Sequence, residues 1–151
     1  YQYLAGPFWM FENDQATARY DVMDAELDIY KYNLLSILAA QRYIKEQAGT
    51  TMELHGQTVT LDTSREGRNI FALKYMLMGD DDTVNWKFPE CWLTLTKAEL
   101  GSVVATGSAY IQAQFDWESN MAAEINAADQ LESLKSYHAS IVPATPVLFG
   151  G

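Results

Sequence analysis

The stretch Thr51-Met-Glu-Leu-His-Gly-Gln-Thr-Val-Thr-Leu61, followed by Thr63-Ser-Arg-Glu66 and an apolar run to Met78, decides the fold. Alternating apolar residues on either side of His55-Gly56 predict a hairpin with a two-residue loop. In that register Met52 pairs with Val59, on the same face as Leu54 and Leu61. Thr63 is expected to cap a helix while Glu66 reaches back to it, the reciprocal bonding of a capping box. Ile70, Leu73 and Leu77, with Phe71, Lys74 and Met78 beside them, give that helix two neighbouring stripes at helical spacing. Gly79-Asp-Asp-Asp82 ends it. Three adjacent acids lack the alternating ligand spacing of a calcium loop, so this is read as a solvated turn.

The module is written a second time from Val84 to Leu95. Its turn falls at Pro89-Glu90, where the fixed φ of proline suits a turn. Trp86 pairs with Leu93 and Val84 with Leu95 on one face, and Lys87 meets Trp92 on the other as a cation–π pair. Thr96-Lys-Ala-Glu99 repeats the capping box and opens a long helix to about Ala127. Leu100, Val104, Ile111, Phe115, Ala122 and Ile125 form its main stripe. Upstream, Asp24 is a candidate N-cap for a helix over 25–48, with Leu27, Tyr30, Leu34, Leu38 and Ile44 near one face and Gly49 as its stop. A third capping box, Asp129-Gln-Leu-Glu132, is expected to start a short last helix ending near Ser140.

The expected fold class is therefore α+β: two short β-hairpins, each followed by a capped helix, packed with an N-terminal helix and a short C-terminal one. Residues 1–23 read as an irregular aromatic arm broken at Gly6-Pro7. Residues 24–141 read as a single domain, and 142–151 as a tail extended by its prolines.

Composition narrows the class of function. The chain has 151 residues, 48% of them hydrophobic and 13% aromatic, which suits a packed globule. Ten basic against twenty acidic residues leave a formal charge of −10, a surface that repels nucleic-acid phosphates and anionic membranes. No segment approaches the roughly 18 consecutive apolar residues of a membrane span. The first residues lack the basic flank of a secretory signal, and there is no initiator methionine, as in a processed product or a fragment. Cys91 is the sole cysteine, so it is read as a small packed hydrophobe in the second hairpin.

No glycine-rich phosphate loop, serine elbow or helical zinc motif is present in the sequence. His55 falls in a turn and His138 on the last helix, neither with a second ligand at metal spacing. Arg65 and Arg68 could clamp a carboxylate, and are read as a solvated face or an internal ion pair. The expectation is a non-enzymatic chain with no catalytic residues, no metal and no cofactor.

Exposed aromatics remain. Nine tyrosines, four tryptophans and six phenylalanines are more than a chain of this size easily buries. Tyr3, Phe8, Trp9 and Phe11 at one end, and Val147, Leu148 and Phe149 at the other, stand in segments without regular pattern. They either fold back on their own core or grip neighbouring subunits, since aromatic anchors dominate interface energetics. They are the candidate partner-binding residues.

A run of ordered blocks carries a family likeness: Ala40-Gln-Arg-Tyr-Ile-Lys-Glu46, Leu54-His-Gly-Gln-Thr-Val-Thr-Leu-Asp-Thr63, Ser64-Arg-Glu-Gly-Arg-Asn69 and Val84-Asn-Trp-Lys87. Trp92-Leu-Thr-Leu-Thr-Lys-Ala-Glu-Leu100, Tyr110-Ile-Gln-Ala-Gln-Phe-Asp116 and Ala122-Ala-Glu-Ile-Asn-Ala-Ala128 complete it, with Leu131 and Leu134 after. Together these resemble a domain that recurs in bacteriophage tail proteins, often at the C-terminal end of tail-fibre and fibre-assembly polypeptides. The resemblance implies a virion structural protein, assembled in the host cytoplasm, that docks other tail or fibre proteins as a homo-oligomer or in multiple copies. It equally covers a tail-fibre assembly chaperone that leaves the virion. No active site is carried over. The absence of fibre-like repeats and the aromatic N-terminal arm favour a small tail or baseplate connector or fibre-anchoring subunit.

Overall fold

A computed structural model of the chain describes residues 2–12, 15–24 and 27–142. The fold is α+β: among the described residues there are three antiparallel strand pairs and four helices, in the order β1 (Gln2–Glu12), β2 (Gln15–Asp24), α1 (Leu27–Glu46), β3 (Thr50–Leu54), β4 (Gln57–Leu61), α2 (Arg65–Leu77), β5 (Thr83–Lys87), β6 (Trp92–Thr96), α3 (Lys97–Ala127) and α4 (Leu131–Ile141). Two compact units divide the chain, one of residues 1–37 and 123–151, the other of residues 38–122. The boundaries fall within α1 and within α3.

The second unit holds the two hairpin–helix modules. His55 and Gly56 both take positive φ, +51° and +74°, as a two-residue hairpin turn requires. Met52 pairs with Val59, as the alternation predicts, and Leu54, Val59 and Leu61 are buried. Trp86 pairs with Leu93, Val84 with Leu95 and Lys87 with Trp92. The Lys87 ammonium lies 5.8 Å from the Trp92 ring centroid. The β5–β6 turn closes through the Phe88 N–H donating to the Cys91 carbonyl at 2.8 Å. Phe88 is buried, and Cys91 packs partly buried against the same core. That core joins both hairpins to Phe71 and Met78 of the α2 region and to Leu100 and Val103 of α3. Each such large side chain contributes about 1.5–3 kcal/mol by leaving water.

The capping boxes fared unevenly. Thr96 and Glu99 form theirs in full: the Thr96 N–H donates to Glu99 Oε2 at 2.8 Å, and the Glu99 N–H to Thr96 Oγ1 at 3.3 Å. At α2 the cap is Ser64, one residue later than expected, its hydroxyl accepting from the Gly67 N–H at 3.1 Å. Thr63 is instead buried, and its hydroxyl accepts from the Gly49 N–H at 2.9 Å. At α4 the cap position is Gln130 with no side-chain bond, so the box expected at Asp129 does not form.

In the first unit, β1 and β2 pair from Gln2↔Asp24 to Glu12↔Gln15, with a register shift between Ala5 and Phe8. Where it is described, the arm expected to be irregular over 1–23 thus forms two paired antiparallel strands. Gly6-Pro7, read as a breaker, is a cis peptide within β1 at that shift, and the ladder resumes beyond it. Asp24, the expected helix cap, ends β2. Tyr30 and Leu34 of α1, Ile125 of α3, and Leu134 and Ile141 of α4 are buried in this unit. Lys31 Nζ donates to the Asn126 carbonyl at 2.8 Å. The expected tail, apart from Val142, lies outside the described residues. Among the described residues no helix is long and apolar enough to cross a membrane.

Candidate functional site

Helix α2 positions the candidate site. Asp62 Oδ1 accepts from the Ser64 N–H at 2.9 Å and fixes the residue whose hydroxyl caps the helix. Gly67 then passes so close to Asp62 that an added Cβ would sit 2.4 Å from its carboxyl carbon and 2.7 Å from its backbone oxygen. This tight entry sets which side of the helix turns inward. Gly67 and Phe71 are buried, Met78 is buried just past the helix, and Phe71 stacks on Trp86 with centroids 4.4 Å apart.

The opposite side is apolar and uncovered. Ile70 is 51% exposed, Leu73 58%, Met76 78% and Leu77 72%. The stripe of Ile70, Leu73 and Leu77 is therefore a surface of this unit. Of the two stripes, Phe71 and Met78 enter the core, while Ile70, Leu73 and Leu77 stay outside it.

Behind the start of α2 sits a buried charge cluster. Glu46, the last residue of α1, is 1% exposed, and its carboxylate accepts from Arg42 and from Arg68. Arg65 stands 3.7 Å from the same carboxylate and 5.5 Å from the Tyr43 ring centroid. Arg42 also donates to Glu118 Oε2 at 2.8 Å and lies over the Phe115 ring at 4.6 Å. Desolvation opposes the Arg42 charge, but the hydrogen bonds and fields of Glu118 and Glu46 outweigh it and raise its pKa. The carboxylate that Arg65 and Arg68 could clamp is thus the chain's own. Lys45 over the Trp117 ring at 4.0 Å, and the Tyr110 hydroxyl donating to the Lys45 carbonyl at 2.7 Å, tie α1 to α3 beside it.

A cleft of about 250 Å³ opens between α2 and α3, lined by Phe71, Val103 and Ile111 with Asn69 and Ser108 among its polar groups. An added Cβ at Gly107 would meet nothing within 4 Å. His55 Nε2 and Glu99 Oε1 lie 2.8 Å apart where the first hairpin reaches the start of α3. Among the described residues no group of three or more histidine, cysteine or acidic side chains could hold a metal ion.

The partner-binding residues expected from the sequence fall elsewhere. Trp9 lies in β1 opposite Ala18 and is 60% exposed. Tyr3, Phe8 and Phe11 belong to the same strand, opposite Met23, Arg19 and Ala16, rather than to an irregular arm. Val147, Leu148 and Phe149 lie outside the described residues. Sequence reasoning missed the outward set of α2 and the buried Glu46. The first was signalled by two stripes on a helix with one hairpin core to meet. The second was signalled by an acid in the last turn of α1, where the helix dipole disfavours it unless cations stand nearby.

The geometry defines a helix-capped hairpin domain with an uncovered apolar helix face. Residues 30–139 match the family described as a domain of unknown function, DUF4376, and the chain belongs to that family. No curated protein and no solved structure matches the chain.

Proposed function

We propose that the protein is a non-enzymatic structural subunit of a bacteriophage tail, a small tail or baseplate connector or fibre-anchoring subunit present in multiple copies and docking other tail proteins. The observation that carries this reading is the outward face of α2, with Ile70, Leu73, Met76 and Leu77 between 51% and 78% exposed. Four large apolar side chains side by side on one helix face are a surface awaiting a protein partner. The resemblance of the ordered blocks from Ala40 to Leu134 to phage tail polypeptides supplies the kind of partner. Trp9, exposed on β1, is a second anchor of the type that dominates interfaces. The acidic surface, at a formal −10, favours protein partners over nucleic acid.

Mass spectrometry of purified particles of the encoding phage tests the reading. Peptides of this chain at a fixed copy number support it. Abundance in the infected-cell lysate with absence from particles overturns it in favour of the tail-fibre assembly chaperone.

A further inference from the structure

We infer that the outward face of α2 is occupied by the same face of a second copy of this chain, the two helices running antiparallel about a two-fold axis at Leu73. This deepens the reading of α2 as an assembly surface and rests on it. Ile70, Leu73 and Leu77 follow the three-then-four spacing of a helix-pairing seam, with Met76 alongside. A two-fold pairing sets each residue before Leu73 against the one equally far after it on the partner. Ile70 of each copy then meets Met76 and Leu77 of the other.

Charge at the two ends of the helix fits the same arrangement. At the N-terminal end of α2 stands Arg65, its side chain 65% exposed; among the described residues the carboxylate paired with it is Glu46, which already accepts from Arg42 and Arg68. Past the C-terminal end of α2, which stops at Leu77 with Met78 extended, comes the acidic turn Asp80–Asp82, with Asp81 exposed at its middle. Asp80 is paired with Lys97 at 2.8 Å, and Asp82 accepts from the Gly79 N–H at 2.7 Å, whereas Asp81 is held by neither bond. The pairing brings Arg65 toward the partner's acidic turn at both ends, and the antiparallel helix dipoles add to that attraction. Glu66 adjoins Arg65 and opposes the same turn, which keeps the association weak. Area does so too: a helix of 13 residues is about 20 Å long and offers less than the roughly 800 Å² per partner of a standard interface. The pairing is therefore a weak, reversible contact, suited to copies held close together in a larger assembly.

Sedimentation equilibrium over a concentration series of the full chain tests this. The wild type is expected to pass from monomer to dimer. M76E, at an exposed position, is expected to weaken the dimer about tenfold or more with an unchanged circular dichroism spectrum. R65E and D81R are each expected to weaken it, and their equimolar mixture to recover wild-type affinity, because Glu–Arg and Arg–Asp contacts then form across the two ends. D81R, in an exposed turn, carries the charge test even where R65E loosens the Glu46 cluster. A wild type that stays monomeric, a dimer indifferent to M76E, or a mixture no tighter than its two components would each overturn the inference. Those outcomes leave the particle composition untouched, so this failure and that of the tail reading are distinguishable.

Discussion

The Glu90 carboxylate, in the turn between β5 and β6, accepts from both the backbone N–H and the hydroxyl of Thr60, at 3.0 and 2.6 Å. One hairpin's turn is thereby pinned to the strand β4 of the other. Two modules that resemble one another in sequence are joined by a contact that neither contains alone.

These bonds hold the Glu90 carboxyl below its usual pKa, the Thr60 hydroxyl first and its N–H second. A depressed carboxyl stabilises the fold above its unfolded-state pKa, and the contribution is lost as pH falls through the folded-state value. Thermal melts across the acidic range are expected to show stability falling in that window. E90Q should melt a few degrees lower at neutral pH and show a shallower acid dependence.

The capping boxes make a paired prediction. Thr96→Ala should cost about 1 kcal/mol, because the Thr96 hydroxyl accepts from the Glu99 N–H at the start of α3. Asp129→Ala should be close to neutral, because the cap position of α4 is Gln130 and carries no side-chain bond. Urea denaturation of the two variants under identical conditions checks both.

Removing the carboxylate of Glu46 should be far more disruptive. Glu46→Ala leaves Arg42 and Arg68 facing a buried void, a loss of about 3 kcal/mol by the behaviour of broken buried ion pairs. Arg65→Ala, at a largely exposed side chain 3.7 Å from the same carboxylate, should cost less than about 1 kcal/mol. Chemical denaturation separates the two; equal losses would contradict the central place given to Glu46.

Two glycines should respond in opposite directions. Gly67→Ala forces a Cβ to within 2.7 Å of the Asp62 backbone oxygen and should destabilise by about 1–3 kcal/mol. Gly107→Ala, inside α3 with open space before it, should stabilise by about 0.5–1 kcal/mol through helix propensity. Melting temperatures check the signs.

Both hairpin registers, the long helix and the Thr96–Glu99 box were legible in the sequence, because alternation, turn residues and capping spacing act over a few positions. What was not legible depends on contacts between distant segments. Ser64 displaced Thr63 as the cap because Thr63 turns inward to the Gly49 N–H, a contact across 14 residues. The β1–β2 strand pair was hidden behind Gly6-Pro7, since the two strands resume their pairing only after a register shift. For the candidate site, the stripe of Ile70, Leu73 and Leu77 was visible, but its exposure was not. That depends on Gly67 fitting against Asp62, a steric fact no periodicity carries.

Under the proposed tail role the outward face of α2 is covered in phage particles, and Met76 reports on this most directly because it is 78% exposed in the free chain. Hydroxyl-radical labelling of the isolated protein and of intact particles, read by mass spectrometry, would compare oxidation of Met76 in the two states. Strong labelling in the free chain with several-fold protection in particles is the predicted result. Equal labelling in both would contradict the account.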